Sequence, residues 1–311
     1  MKKIILLGIL SAMCICFAGC GMILQIDDSI TEAAYADSDQ YIAGDFTYNA
    51  ADVETIEVSW RIGRVTLRES DAATLSVSES GKELEPDAQV QHWLENGTLH
   101  IQFCQPGRIH VDDEDKHLTL ELPKNIVLAV QSTSADICAD TLEQKSVTFS
   151  TVSGNTQVGT LAANEVDLSS SSGRQSLGSV TADKANLSSV SGELSVEQAA
   201  VSGEISCSTT SGTVRFEGLK ADAADVGTVS GAVELGVLRC PSALVDTTSG
   251  RVSLTLPANT GASVEYCSTS GELRTSLPWT AVGDLMVFGG GEYSVIVETT
   301  SGDLEIRSES D

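Results

Sequence analysis

All four histidines of the 311-residue chain fall between positions 92 and 117: His92, His100, His110 and His117, with Cys104 among them. Imidazoles clustered with a thiol are the ligand types a transition metal prefers. Their spacings of 8, 10 and 7 residues fit no metal motif, and His-Glu-x-x-His is absent. His100 also lies between Leu99 and Ile101, which on a strand sends it to the face opposite both. Asp112-Asp113-Glu114-Asp115 offers the oxygens calcium favours but not the Asp-x-Asp-x-Asp-Gly order of a calcium loop, so it reads as a solvated loop. No metal and no cofactor is expected. Glycan hydrolysis would need carboxylates converging on one face. The acids are plentiful but scattered, at Asp167, Asp183, Asp222, Asp225 and Asp246, while Glu193, Glu204 and Glu272 each follow a Ser-Gly pair and should line an acidic edge. No Gly-x-Ser-x-Gly, Ser-x-x-Lys or phosphate loop occurs. The expectation is that the chain is not an enzyme.

A different chemistry is written at the start. Lys2 and Lys3 precede an apolar run from Ile4 to Phe17, then the small residues Ala18 and Gly19, then Cys20. The run suits a signal peptide and is too short to span a membrane comfortably. The order of features resembles the lipobox of bacterial lipoproteins, which implies that Cys20 is lipidated and becomes the mature N-terminus. Acyl chains contribute about 0.8 kcal/mol per buried CH₂, so two or three of them anchor a folded domain firmly. The remaining cysteines, Cys104, Cys138, Cys207, Cys240 and Cys267, are odd in number and contain no Cys-x-x-Cys. They read as small buried apolar residues, neither a disulfide framework nor a zinc site.

The charge narrows the partners. Lys and Arg number 18 against 44 Asp and Glu, a formal net charge of -26. Loss of residues 1–19 would remove Lys2 and Lys3 and no acid, giving -28 from 16 cations. Phosphate backbones need clustered Lys and Arg, so nucleic acid is excluded, and anionic lipid should not be held by charge alone. Hydrophobic residues make up 41% and aromatics only 5%, enough for a core but a thin aliphatic one.

What positions these residues is a repeat. Ser-Gly recurs at Ser153-Gly154, Ser172-Gly173, Ser191-Gly192, Ser211-Gly212, Ser230-Gly231, Ser249-Gly250, Ser270-Gly271 and Ser301-Gly302, in steps of 19, 19, 20, 19, 19, 21 and 31. Ser134-Ala135 takes the same place one step earlier. Two and four residues after each Gly stand mostly apolar residues, such as Val214 and Phe216 or Val233 and Leu235, and a second alternating pair follows at twelve and fourteen, such as Ala224 and Val226. Period-2 alternation means short strands with one buried face. A unit this small cannot bury its own apolar face and must stack, each coil adding about 4.8 Å by parallel pairing. The expectation is an all-β parallel solenoid with coils of about 19 residues. Ser-Gly should form its corner, with Gly supplying a positive φ. The serines should form a ladder, with the row Thr151, Ser170, Ser189, Thr209, Thr228, Thr247 and Ser268 beside it. Apolar parity points both rows inward, as structure and not as an ice- or glycan-binding face.

The same offsets around Gly63, with Val65, Leu67, Leu75 and Val77, start the solenoid near residue 50, and Gly97 to Ile101 restarts it. A small separate β-sandwich is the alternative there. Leu118 to Asn125 echoes Val252 to Asn259, each leading through Leu-Pro to a strand and a Ser-Thr-Ser turn. The organisation expected is signal peptide 1–19, anchor and tether 20–45, irregular coils 46–131 and regular solenoid 132–311, with an insertion at Ala281 to Gly291.

The Ser-Gly strands, the Leu-Pro before such turns and the Gly-rich segment before Thr299-Thr300-Ser301-Gly302 resemble the bacterial "putative adhesin" family, YvlB-like domains of unknown function, over residues 50–308. The resemblance implies a β-solenoid with no established catalytic residues and a setting in the cell envelope, some relatives being associated with envelope stress. The expected function is an extracytoplasmic, lipid-anchored binding module whose partner is an envelope protein, a glycan or a cationic peptide. A stress sensor capturing cationic peptides or cations is the second reading, and a polysaccharide-degrading β-helix enzyme a distant third.

Overall fold

A computed structural model describes residues 38–81, 84–106, 116–258 and 261–309. Cys20, His110 and the acidic loop at 112–115 lie outside the described residues. The N-terminal strands are β1 (Ile42–Ala43), β2 (Phe46–Asn49), β3 (Thr55–Trp60), β4 (Arg64–Glu69), β5 (Thr74–Ser80), β6 (Gln91–Glu95), β7 (Thr98–Gln102), β8 (His117–Leu122) and β9 (Val127–Ser132). The repeat forms β10 (Asp136–Thr151), β11 (Thr156–Ser170), β12 (Gln175–Ser189), β13 (Leu194–Val201), β14 (Glu204–Thr209), β15 (Val214–Lys220), β16 (Ala223–Thr228), β17 (Val233–Arg239), β18 (Ser242–Thr247) and β19 (Val252–Leu256). The last are β20 (Ala262–Ser268), β21 (Leu273–Thr275), β22 (Thr280–Val282), β23 (Leu285–Phe288), β24 (Tyr293–Thr299) and β25 (Leu304–Ser308).

The coils make two facing sheets around one aliphatic core. The first sheet runs β1-β6-β7-β3-β9, then the C-terminal halves of β10, β11 and β12, then β14-β16-β18-β24-β20-β23-β22. The second runs β2-β5-β8-β4, then the N-terminal halves of β10, β11 and β12, then β13-β15-β17-β19-β25-β21. Strands β10 to β12 turn from one sheet into the other without a break. Register follows the repeat: Val158 pairs with Leu177 and Leu168 with Leu187. The slightly longer step between Gly192 and Gly212 is absorbed at Ser202-Gly203. Before that corner Val201 keeps the common interval and pairs with Ala182, whereas after it Ile205 pairs with Ala185, one residue further back. Alternation buries Val214, Phe216, Val233, Leu235, Ala224 and Val226 between the sheets. Each of the Val, Leu and Phe side chains contributes about 1.5–3 kcal/mol by leaving water.

The coils do not stack in chain order at either end. β8 lies between β5 and β4, and β9 between β3 and β10. β24 lies between β18 and β20, and β25 between β19 and β21. The Leu-Pro echo in the sequence marks the two places where the chain leaves β8 and β19. One expectation is corrected here: Leu75 and Val77 are buried, but β5 stays in the second sheet, antiparallel to β2 and β8, and does not complete a coil. The insertion before Gly302 forms the antiparallel pair β22–β23, which extends the first sheet from β20.

Candidate functional site

The Ser-Gly corner is built from three residue rows with different tasks. Thr151, Ser189, Thr209, Thr228, Thr247, Ser268 and Thr299 point inward, and each side-chain oxygen accepts a hydrogen bond from the Gly N–H three residues on, at 2.7–3.0 Å. Ser170 shares the row, with its hydroxyl buried and without a hydrogen-bond partner. The serines preceding each Gly, Ser153, Ser172, Ser191, Ser211, Ser230, Ser249, Ser270 and Ser301, are exposed, which corrects the inward placement expected from parity. Two successive residues, such as Val152 and Ser153, both face outward and reset the alternation. Ser153, Ser172, Ser191 and Ser230 donate to carbonyls of the neighbouring coil at 3.2–3.4 Å. The glycines also have a different reason from the one expected. None of the eight has a positive φ. A Cβ on Gly173, Gly192, Gly212, Gly231 or Gly250 would instead overlap the carbonyl oxygen of the Gly one coil below. Gly302 stacks on Gly250 and Gly271 on Gly302, so the column follows space and not chain order.

The outer surfaces of the two sheets differ in charge. On the first sheet the register aligns Asp167, Asn186, Ser206, Asp225, Leu244, Ile296 and Glu265 in one row, with Asp246, Glu298 and Cys267 in the next. Partial burial pushes the carboxyls of Asp167, Asp225 and Asp246 above their ordinary range, with Glu165, Glu204 and Glu298 respectively adding to the effect. Glu204 belongs to this surface and not to the Ser-Gly edge, because Ser202-Gly203 sits at the opposite corner. The second sheet alternates signs. Arg174 pairs with Glu193 and Arg215 with Glu234, both at 2.9 Å and across neighbouring strands, and Arg307 pairs with Glu305 at 2.8 Å. A shallow trough of about 380 Å³ opens here, lined by Arg215, Glu234, Arg251, Ser253, Thr255 and Arg307 among others. The partners of both strand-crossing pairs are one repeat apart in the chain, so opposite charges at that interval are a signal available in the sequence.

The three described histidines have separate surroundings. His92 is buried, stacked on Phe46 with 3.7 Å between ring centroids, and its Nδ1 lies 2.9 Å from the Tyr48 hydroxyl. Burial lowers its pKa to about 4. His100 stacks on Trp93 and contacts Glu57 at 3.1 Å on the outer face of the first sheet. His117 stands on β8 in the second sheet. No group of three or more potential metal-ligating side chains occurs among the described residues. Cys104, Cys207 and Cys240 are buried as expected of small apolar residues, but Cys138 is half-buried and Cys267 exposed, on the outward parity of their strands. A buried pair absent from the sequence reading is Lys116 with Glu79, at 3.4 Å. The Lys116 ammonium donates to the carbonyls of Ala88 and Phe103 and lies over the Phe103 ring, 4.3 Å from its centroid. It ties the strands after β5 to the start of β8.

Two long, mostly parallel sheets, stacked by a short repeat that restates itself coil after coil, define a β-solenoid. Over residues 53–307 the chain matches the family described as Toastrack DUF4097, and it belongs to that family. No protein with a curated description matches it. Among solved structures it is similar to a protein described as a putative adhesin from Parabacteroides merdae, at 14% identity and a TM-score of 0.49, covering 85% of this chain and 96% of that one. Another, described as a putative adhesin from Parabacteroides distasonis, has 16% identity and a TM-score of 0.47, with 84% and 95% covered. A third, described as a putative lipid binding protein from the same species, has 18% identity and a TM-score of 0.46, again with 84% and 95% covered.

Proposed function

We propose that the protein is a non-enzymatic binding module of the bacterial cell envelope, lipidated at Cys20 and held outside the cytoplasm, adhesin-like in displaying a long rigid surface to a protein or glycan. The observation that carries this reading is the layout of the outer faces. Polar and charged side chains stand on them in straight rows set by the register, Asp167 and Asp225 in one and Asp246 and Glu298 in the next, a layout suited to an extended partner, whereas catalysis needs carboxylates converging on one reacting atom. The first sheet's outward-facing Asp167, Asp225 and Asp246 favour a second reading within the same class, capture of cationic peptides by the acidic face.

Labelled palmitate should enter the wild-type chain in a bacterial host, and Cys20→Ala should abolish labelling and release the protein from the membrane fraction. Retention of label in that variant would overturn the anchor. Decalysine is a suitable probe of the acidic face. Its binding should weaken about tenfold or more between low and physiological salt, where the screening length contracts to about 8 Å, and further in the Asp225→Asn, Asp246→Asn variant. Salt-insensitive binding would remove the cationic reading and leave display to a protein or glycan.

A further inference from the structure

We propose that the C-terminal half of the first sheet docks a basic amphipathic helix of a partner polypeptide across its outer face. This rests on the reading of the acidic face as one that captures cationic peptides, and gives that face a position, an apolar contact and a partner conformation. Strand pairing aligns Leu244, Ile296, Glu265, Leu285 and Val282 in one row across β18, β24, β20, β23 and β22. Their strand neighbours Val245, Val297, Val264 and Met286 are buried, so the row faces outward, and Val282 at its end is 57% exposed. Two residues along, Asp246, Glu298 and Cys267 form a second row beside the first. Asp225 adjoins Leu244 at the other end of the apolar row. Asp284, next to Leu285, adds its charge near Cys267.

The charge on this face has one sign. Strands β14, β16, β18, β20, β22, β23 and β24 contain no Lys or Arg, whereas the strands behind them in the second sheet hold Arg215, Arg239, Arg274 and Arg307. No described element lies over it: apart from one 3-10 turn at Ala50–Asp52, every described element is a strand of the two sheets. Apolar side chains gathered on a polar surface mark an interaction site. A cationic partner would neutralise the acids, whereas a second copy laid face to face, or an anionic lipid surface, would set like charges together. The two rows lie about 7 Å apart, and the apolar one runs about 19 Å across its five strands. An extended segment turns alternate residues away and offers a single line of side chains. A helix of about 13 residues covers that length and presents an apolar stripe beside a basic one, which meets both rows at once.

The probe is a peptide of about 14 residues with Leu and Lys in amphipathic helical order, titrated into the purified full chain beside a peptide of the same composition scrambled to remove the apolar stripe. The ordered peptide should bind about tenfold tighter and keep most of that advantage in about 0.5 M sodium chloride, where charge is screened. It should also slow alkylation of the exposed Cys267 by iodoacetamide, read at that residue by mass spectrometry. Ile296→Thr combined with Val282→Ser removes half of the apolar row and should bring the ordered peptide down to the level of the scrambled one. Val282→Ser alone, on the edge strand, should weaken it about threefold with the melting temperature unchanged, and decides the question if the double variant does not fold. Equal binding of the two peptides would overturn the proposal, as would equal binding to Val282→Ser or undiminished alkylation of Cys267 at saturating peptide. So would a slowing of that alkylation by higher protein concentration alone, which would make a second copy the occupant. Failure here with salt-sensitive decalysine binding intact leaves the acidic-face reading standing; failure of both removes it.

Discussion

At Gly231 an added methyl would land on the carbonyl oxygen of Gly212, whereas at Gly227, four residues earlier, the same methyl would meet nothing within 4 Å. Backbone in a stacked coil cannot yield without shifting its neighbours, so Gly231→Ala should cost about 3 kcal/mol or more. Gly227→Ala should change stability by less than about 1 kcal/mol, since φ there is not positive. Urea unfolding of the two variants compares them directly. His92 offers a test of sign. Its folded pKa of about 4 lies below the ordinary 6.5, so the fold favours the neutral ring. The contribution is fully present above pH 6.5 and is lost as pH falls through 6.5 towards 4. Relative to His92→Gln, the wild type should lose about 2 kcal/mol between pH 7 and 4.5. Asp167, Asp225 and Asp246, raised in the fold, push in the opposite direction, destabilising the protein at neutral pH and relieving it as they protonate. The difference between the two chains in chemical denaturation at each pH isolates the ring.

A strand tolerates the loss of a residue only where its alternation already breaks. Ser202 lies in the corner that absorbs the one-residue excess of its coil, so its deletion restores the common repeat length and should leave a cooperative melt. Deleting Gln198 would slide Ala199 and Val201 out of the core and turn the following side chains over, and that chain should fail to fold. Circular dichroism melts separate the outcomes. The same periodicity explains what could be read from residues alone. Strands in the repeat are legible because each coil restates the apolar offsets, and Val214, Phe216, Val233 and Leu235 fall inside as those offsets require. Three features escaped. Ser153 and its equivalents face outward because two successive residues do so at the corner, which a strict alternation does not anticipate. Glu204 moved to the first sheet because Ser202-Gly203 resembles the repeated pair without occupying its place. The partners of Lys116 come from β5, the segment before β6 and the residue after β7, and contacts of that range leave no local trace. Of the outer surfaces, the Arg–Glu pairs across the second sheet were available as opposite charges one repeat apart, while the open edge of β21 depends on how the last coils are ordered.

Charge is a property of the whole molecule. With a formal net charge of -26, and each sheet holding its side chains in fixed rows, the compact state works against its own repulsion. Salt should screen this, so the melting temperature should rise by a few degrees between about 10 mM and 0.5 M sodium chloride, as the screening length shrinks from about 30 Å to a few ångströms. A flat or falling dependence would mean that the ion pairs of the second sheet outweigh the repulsion. The order of the last coils reaches further. β24 and β25 come late in the chain yet lie between β18–β19 and β20–β21, so the coil of β20 and β21 is joined to the rest of the stack only by these last two strands. A chain synthesised from its N-terminus can add most coils one after another, each on the last. Its end cannot grow that way. Residues 262–275 reach the stack only through these closing strands, so a chain cut before Tyr293 would lose the attachment of β20 and β21 together with β24 and β25.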